Sequence, residues 1–241
     1  GGDGNHYEYD SRGNLLRIQS AHPNPGATER LETRFAYDLC NNQTMVRDAQ
    51  GAVTSNAYSP TTCQLLSSTD PLGHTTQFVN NSRGQPLQII DALGHVTQNG
   101  YDGSGNLAQA VDAGGNATTF TYDNLNRRVS ETKPGGGTTT FQYDPFDRQT
   151  RVTSPQSAVT QMVYDTLGNL ISSTDPDGRT TEYTYDGRGN KVTVKDAVGN
   201  ITQYLYDAGN RMVRMTDPAG QMTQVTYDGN DRPLQVMAPL G

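Results

Sequence analysis

Apolar and polar residues alternate along short stretches of this chain, and the alternation keeps one phase from end to end. In the hexad from Thr181 to Asp186, Thr181, Tyr183 and Tyr185 fall on one side while Glu182 and Thr184 fall on the other. A period of two over that length predicts a strand with one aromatic face. The hexad ends in Tyr-Asp, and that pair recurs as Tyr9-Asp10, Tyr37-Asp38, Tyr101-Asp102, Tyr122-Asp123, Tyr143-Asp144, Tyr164-Asp165, Tyr185-Asp186, Tyr206-Asp207 and Tyr227-Asp228. Tyr58-Ser59 and Asn80-Asn81 are altered copies in phase, so the spacing runs 28, 21, 22 and then 21 throughout, giving eleven units. An internal period fixes the class of architecture before any local assignment does.

Other columns lock to the same phase. Thr stands four residues before the pair, as at Thr118, Thr139, Thr160 and Thr202, and an aromatic or apolar residue stands two before it, as at Phe120, Phe141, Met162 and Tyr204. Four residues after the Tyr comes Gly, Asn or Asp, the types that tolerate a left-handed backbone (Gly168, Gly189, Asn210, Asp231). Further on, Asp-(Pro/Ala)-x-Gly, as in Asp70 to Gly73, Asp175 to Gly178 and Asp217 to Gly220, is type I turn chemistry. Between the two turns runs a second strand with apolar pairs such as Val192 and Val194.

Each unit therefore reads as one β-hairpin, and the chain as an all-β antiparallel meander. Both apolar stripes share a face only if the Asp-Pro-x-Gly loop is odd, which a type I turn with a Gly bulge supplies. Because 21 is odd, an unstaggered meander then calls for an even loop at the Tyr-Asp end. Strands about 4.8 Å apart would make the sheet on the order of 100 Å wide. Open twisted sheets rarely exceed about ten strands without curling, so a long curved or spiralling sheet is expected. Successive units would stack Tyr on Tyr along it. A β-propeller would need inner and outer hairpins alternating every second unit, and the columns show no such alternation.

Composition adjusts this picture. Hydrophobic residues make up only 32%, yet Tyr numbers 13, and disordered chains avoid aromatic and β-branched residues. A thin sheet with modest apolar stripes fits better than a thick core. A net charge of −7 argues against a nucleic-acid partner, which needs a basic face. No apolar run is long enough for a membrane-spanning helix. The chain starts inside the pattern without Met, and is expected to be an excerpt of a longer protein.

Tyr-Asp-x-x-Gly-Asn followed by Asp-Pro-x-Gly at a 21-residue period resembles the RHS repeats, also called YD repeats. The resemblance covers essentially the whole chain, so residues 1–241 are expected to be a single array. It implies a strip of β-sheet that forms part of a hollow shell, as in bacterial polymorphic toxins, toxin-complex subunits and, more distantly, teneurins. In bacterial members the shell encloses a C-terminal toxic domain and the protein is exported or surface-exposed, often through type VI secretion. The expected partners are thus the rest of the parent shell and its toxin. The self-cleavage site and non-repetitive toxin tail of whole bacterial members do not occur in this sequence, and eleven hairpins are too few to close a cocoon. The first units diverge: residues 20–32 carry a seven-residue insertion, and the stretch from Tyr58 to Asp70 is one residue too long. The alternative function is an extracellular recognition module that binds a glycan or protein through its Tyr, Asn and Asp side chains.

Candidate chemistry is sparse. Asp175 and Asp177 offer two carboxylates where an EF-hand loop needs several ligands and a Glu, and one Asp per turn also suits turn capping. His74 and His95 follow turn glycines one period apart, about 10 Å across two strands, and read as solvated turn residues. Cys40 and Cys63 lie in neighbouring Tyr-Asp turns. Regular turns there would be too far apart for a disulfide, but the extra residue beside Cys63 could close the gap, so a bridge and two free thiols both stay open. Ser104, in "GSGN", lacks the strand-to-helix setting and His partner of a nucleophile. The glycines of "GGDGN" and "KPGGGTT" are turn residues in phase. Sequons at Asn42, Asn80, Asn116 and Asn200 matter only in a eukaryotic secretory setting. No catalytic, cofactor or metal site is expected, and no enzymatic activity.

Overall fold

The computed structural model describes residues 5–21 and 30–238, and every regular element among them is a β-strand. There are 22 such strands, from β1 (His6–Tyr9) to β22 (Pro233–Met237), two for each of the eleven predicted units. The chain falls into two compact units, residues 1–119 and 120–241, and the division lies within β11 (Ala117–Tyr122). In the first unit each strand pairs antiparallel with the next, from β1 to the first half of β11. In the second, β12 (Arg128–Thr132) begins the same succession, which runs to β22. The hairpin repeat is the whole fold of each unit. The insertion near residue 20 lies mostly in residues 22–29, and the first four glycine-rich positions of "GGDGN" are residues 1–4, so both readings fall outside the described residues.

Burial follows the alternation. In β17 (Thr180–Tyr185), Thr181, Tyr183 and Tyr185 are half-buried while Glu182 and Thr184 are exposed. Val225 at 9% relative exposure is the one buried hydrophobic side chain among the described residues. A single layer of strands cannot enclose a side chain on all sides, so apolar burial is spread thinly along one face. On that face Tyr183 pairs with Val194, and Val194 pairs with Thr202 of the next hairpin. The same register sets Val152 and then Thr160 across from Phe141, and Ile89 and then Thr97 across from Phe78. Successive residues of one aromatic column, such as Tyr183 and Tyr204, stand on alternate strands with one strand between them.

The turns correct the parity expectation. At the Asp-Pro-x-Gly end, Asp175 N donates to Arg179 O at 2.9 Å and Gly178 N to Asp175 O at 3.0 Å, a five-residue turn with left-handed Gly178 at φ 79°. The Tyr-Asp end is the same turn: Asp165 N donates to Asn169 O at 2.9 Å, Gly168 N to Asp165 O at 3.2 Å, and Gly168 has φ 92°. It is odd, not even. Parity is restored one step later, where Tyr164 pairs with Leu170 but Val163 pairs with Ser172, leaving Ile171 as an extra residue. That β-bulge makes the span from Val163 to Ser172 even and recurs after the Tyr-Asp turn of every described pairing of this kind, as at Tyr143 and Tyr206.

Candidate functional site

The bulge explains the tyrosine. Pairing is interrupted just after the first residue of the second strand, and a carbonyl there that lacks a ladder partner calls for another donor. The Tyr hydroxyl of the next hairpin donates to it. Tyr143 reaches Arg128 O at 2.8 Å, Tyr164 reaches Gln149 O at 3.0 Å, Tyr185 reaches Leu170 O at 2.9 Å, Tyr206 reaches Lys191 O at 3.0 Å and Tyr227 reaches Met212 O at 2.9 Å. Altered units keep the bond by other means. Asn80, in the Tyr column, donates to Leu65 O at 2.7 Å, and Asn56, two residues before Tyr58, donates to Gln43 O at 3.1 Å.

The aspartate builds the turn that follows. Asp165 Oδ1 accepts Leu167 N at 2.9 Å and Asn169 N at 2.8 Å, and its Oδ2 accepts Asn169 Nδ2 at 2.9 Å. These bonds hold the Asp165 carboxyl below its ordinary range, with the Asn169 side chain the largest cause. In other units the partner five residues after the Tyr is an arginine. Arg148 Nε donates to Asp144 Oδ2 at 2.6 Å while its Nη1 reaches across to Asp165 O at 2.8 Å. Arg127 makes the same pair of contacts, to Asp123 Oδ2 at 2.7 Å and to Asp144 O at 2.8 Å. The guanidinium carbon of Arg148 also lies 5.0 Å from the centre of the Tyr164 ring.

Within each unit the Tyr-Asp turns are thus tied side by side along one edge of the sheet. Arg12 Nη1 joins the first turn to Leu39 O at 3.2 Å, Arg83 joins Gly103 O at 3.1 Å, and Arg188 joins Ala208 O at 3.0 Å. Between the turns of Tyr37 and Tyr58 the tie is covalent. Cys40 and Cys63 form a disulfide with Cα atoms 6.1 Å apart. The Cys63 turn has one residue more than its neighbours, with Ser59 N donating to Gln64 O at 2.8 Å and Cys63 N to Ser59 O at 2.9 Å. That extra residue brings the two cysteines within reach.

At the opposite edge the bonds close within single turns. His74 Nδ1 lies 2.9 Å from Asp70 Oδ2 and His95 Nδ1 lies 2.8 Å from Asp91 Oδ2, all four exposed. Asp175 Oδ1 accepts two backbone amides at 2.9 Å, and Arg179 Nη1 lies 2.9 Å from Asp177 Oδ2. No group of three or more His, Cys, Asp or Glu suited to a metal ion occurs among the described residues. Ser104 sits exposed in the turn from Asp102 to Asn106, and the glycines of "KPGGGTT" form the turn from Lys133 to Gly137. The sequon amides of Asn42, Asn116 and Asn200 are each bonded to their turn Asp, and that of Asn80 to Leu65 O. Among the described residues there is no helix long and apolar enough to cross a membrane. The sequence reading overlooked the Tyr-to-bulge bond and the arginine ties. One signal was present: the position five after the Tyr is always a side-chain donor, Asn, Gln or Arg, once the extra residue at Cys63 is allowed for.

Tandem hairpins, joined to their predecessors by Tyr hydroxyls or, in altered units, Asn amides on the bulge carbonyls and by turn-to-turn ties, define a structural β-hairpin repeat protein. The chain belongs to the RHS Repeat family, whose model matches residues 80–117, 101–138, 129–159, 164–201, 192–222 and 206–241. No curated protein matches it by sequence. Among solved structures it is similar to TcdB2-TccC3-Cdc42, with 15% identity and a TM-score of 0.57 over 98% of this chain and 16% of that one. It is also similar to TcdB2-TccC3 without the hypervariable C-terminal region, with 15% identity and a TM-score of 0.56 over 98% and 16%. The Photorhabdus luminescens Tc holotoxin pore gives 13% identity and a TM-score of 0.50 over 95% and 18%. These likenesses are of fold, and the chain spans about a sixth of the length of the first two.

Proposed function

We propose that the chain is a length of wall in a hollow RHS shell, which encloses a toxin or other cargo domain of an exported bacterial protein until delivery. All eleven hairpins serve that wall as one array, and its partners are the remaining repeats of the parent and the enclosed domain. The observation that carries this reading is the turn-to-turn tying of a single-layer sheet. A sheet with one buried hydrophobic side chain among its described residues gains little from a core. It invests instead in bonds between successive hairpins, which is what a thin wall under load requires. The family match supports a structural repeat, and the fold likeness to TcdB2-TccC3 assemblies supports a toxin setting.

Limited proteolysis of the natural protein that contains this array tests the proposal. The non-repetitive domain is expected to resist protease while the array is folded and to be cut once denaturant opens it. Cleavage of that domain at the same rate in both conditions would overturn the enclosing role.

A further inference from the structure

The second unit shows what its repeat places over a tyrosine. Arg127 lies over Tyr143, Arg148 over Tyr164 and Arg211 over Tyr227, each with its guanidinium carbon 5.0 Å from the ring centre. Each is also held through Nε by the Asp of its own turn, at 2.6 to 2.7 Å. Aromatic face below and carboxylate beside is thus a guanidinium seat that the molecule builds three times for itself.

In the first unit two corresponding seats have an Asn amide on the carboxylate and no guanidinium over the ring. Ahead of Tyr37 and Tyr58 the arginine column holds Asn14 and Asn42. Their amides bond Asp10 Oδ2 at 2.9 Å and Asp38 Oδ2 at 3.1 Å and are too short to cover the next ring. A hollow of about 690 Å³ lies here, lined by Leu16, Phe35, Tyr37 and Tyr58 together with Asp10 and Asp38. Arg12 is the one cation in its lining, and its Nη1 is engaged by Leu39 O at 3.2 Å. The two carboxylates therefore leave the lining with a net negative charge. The Cys40–Cys63 disulfide fixes the turns that follow Tyr37 and Tyr58, so the walls are set in advance of binding.

We propose that this hollow binds an arginine side chain of a protein partner, seating its guanidinium over Tyr37 or Tyr58 as the chain's own arginines sit over Tyr143, Tyr164 and Tyr227. The volume favours a peptide over a small guanidinium compound. It lies within the range of about 300 to 1,000 Å³ that holds a drug-sized ligand, which is room for an arginine and an adjoining apolar side chain against Leu16 and Phe35. The inference stands apart from the shell proposal, because it rests on local geometry in one unit.

Calorimetric titration of the oxidised 241-residue chain with acetyl-Leu-Arg-Leu-amide tests it. One saturable site is expected, and replacing arginine by citrulline, its neutral isostere, should weaken binding by about tenfold or more. The Asn14→Arg/Asn42→Arg double variant fills both seats from within and should lose binding by a similar factor with an unchanged circular dichroism spectrum. The citrulline comparison uses the unaltered chain and stays decisive if that variant misfolds. Absence of saturation, equal binding of the citrulline peptide, or undiminished binding by the folded double variant would overturn the proposal.

Discussion

The hydroxyl of Tyr185 donates to the carbonyl of Leu170 at 2.9 Å, joining the strand of one hairpin to the bulge of the hairpin before it. The bond gives the Tyr-Asp motif its tyrosine. An apolar side chain alone would suffice for the half-buried face, as Phe141 and Met162 show two residues ahead of their own tyrosines. Removing the hydroxyl should therefore cost more here than elsewhere on the face. Tyr185→Phe is expected to lower stability by about 1 kcal/mol, the usual net worth of such a bond, while Tyr183→Phe should be near neutral. Denaturant midpoints of the two variants make the comparison.

The arginine ties predict a gain as well as a loss. Arg148 spans from Asp144 to the next turn, so Arg148→Ala should destabilise, and Arg148→Lys should recover little because a single ammonium cannot bond both turns in a fixed plane. Asn169 stands in the same column and bonds Asp165 at 2.9 Å. Asn169→Arg is expected to bond Asp165 through Nε, extend to the turn that follows Tyr185, and raise stability by about 0.5 to 1 kcal/mol. Thermal melting of the three variants reads both directions.

The sequence made the repeat, the eleven hairpins, both turn positions and the left-handed columns legible, because each depends on local chemistry: alternation, Asp and Pro at turn starts, Gly or Asn where φ is positive. The bulge was not legible. Parity showed that an even span was needed, but a bulge and an even turn satisfy parity equally. Only the carbonyl that Tyr164 or Tyr185 bonds tells them apart. The Cys40–Cys63 bridge was half legible, since the extra residue near Cys63 showed that the turns could approach without showing that they do.

That bridge replaces an arginine tie with a covalent one. Its two cysteines are 23 residues apart, and closing a loop of that order contributes on the order of 3 kcal/mol. Reduction should lower the denaturation midpoint of the native chain by a corresponding amount. A Cys40→Ser/Cys63→Ser variant should show the lower midpoint already and be insensitive to reductant.

Turn carboxylates set the pH response. Hydrogen bonding, chiefly from the side chains of His74, His95, Arg127 and Arg211, holds Asp70, Asp91, Asp123 and Asp207 below the ordinary carboxylate value of 3.8. A folded-state pKa below the unfolded one adds stability that is present above the unfolded value and disappears as pH falls through the folded one. Urea midpoints should be level with respect to these groups from pH 5 to 7. They should drop as the medium is taken below about pH 3.8. A midpoint that rises on acidification would contradict the turn assignment.

The account is tested most directly by an electron cryomicroscopy reconstruction of the natural protein that contains this array. It predicts a hollow body whose wall includes single layers of antiparallel hairpins, with the Tyr-Asp turns aligned along one edge within each unit, and a separate domain inside. A solid body, or a flat ribbon with both faces open to solvent, would contradict it.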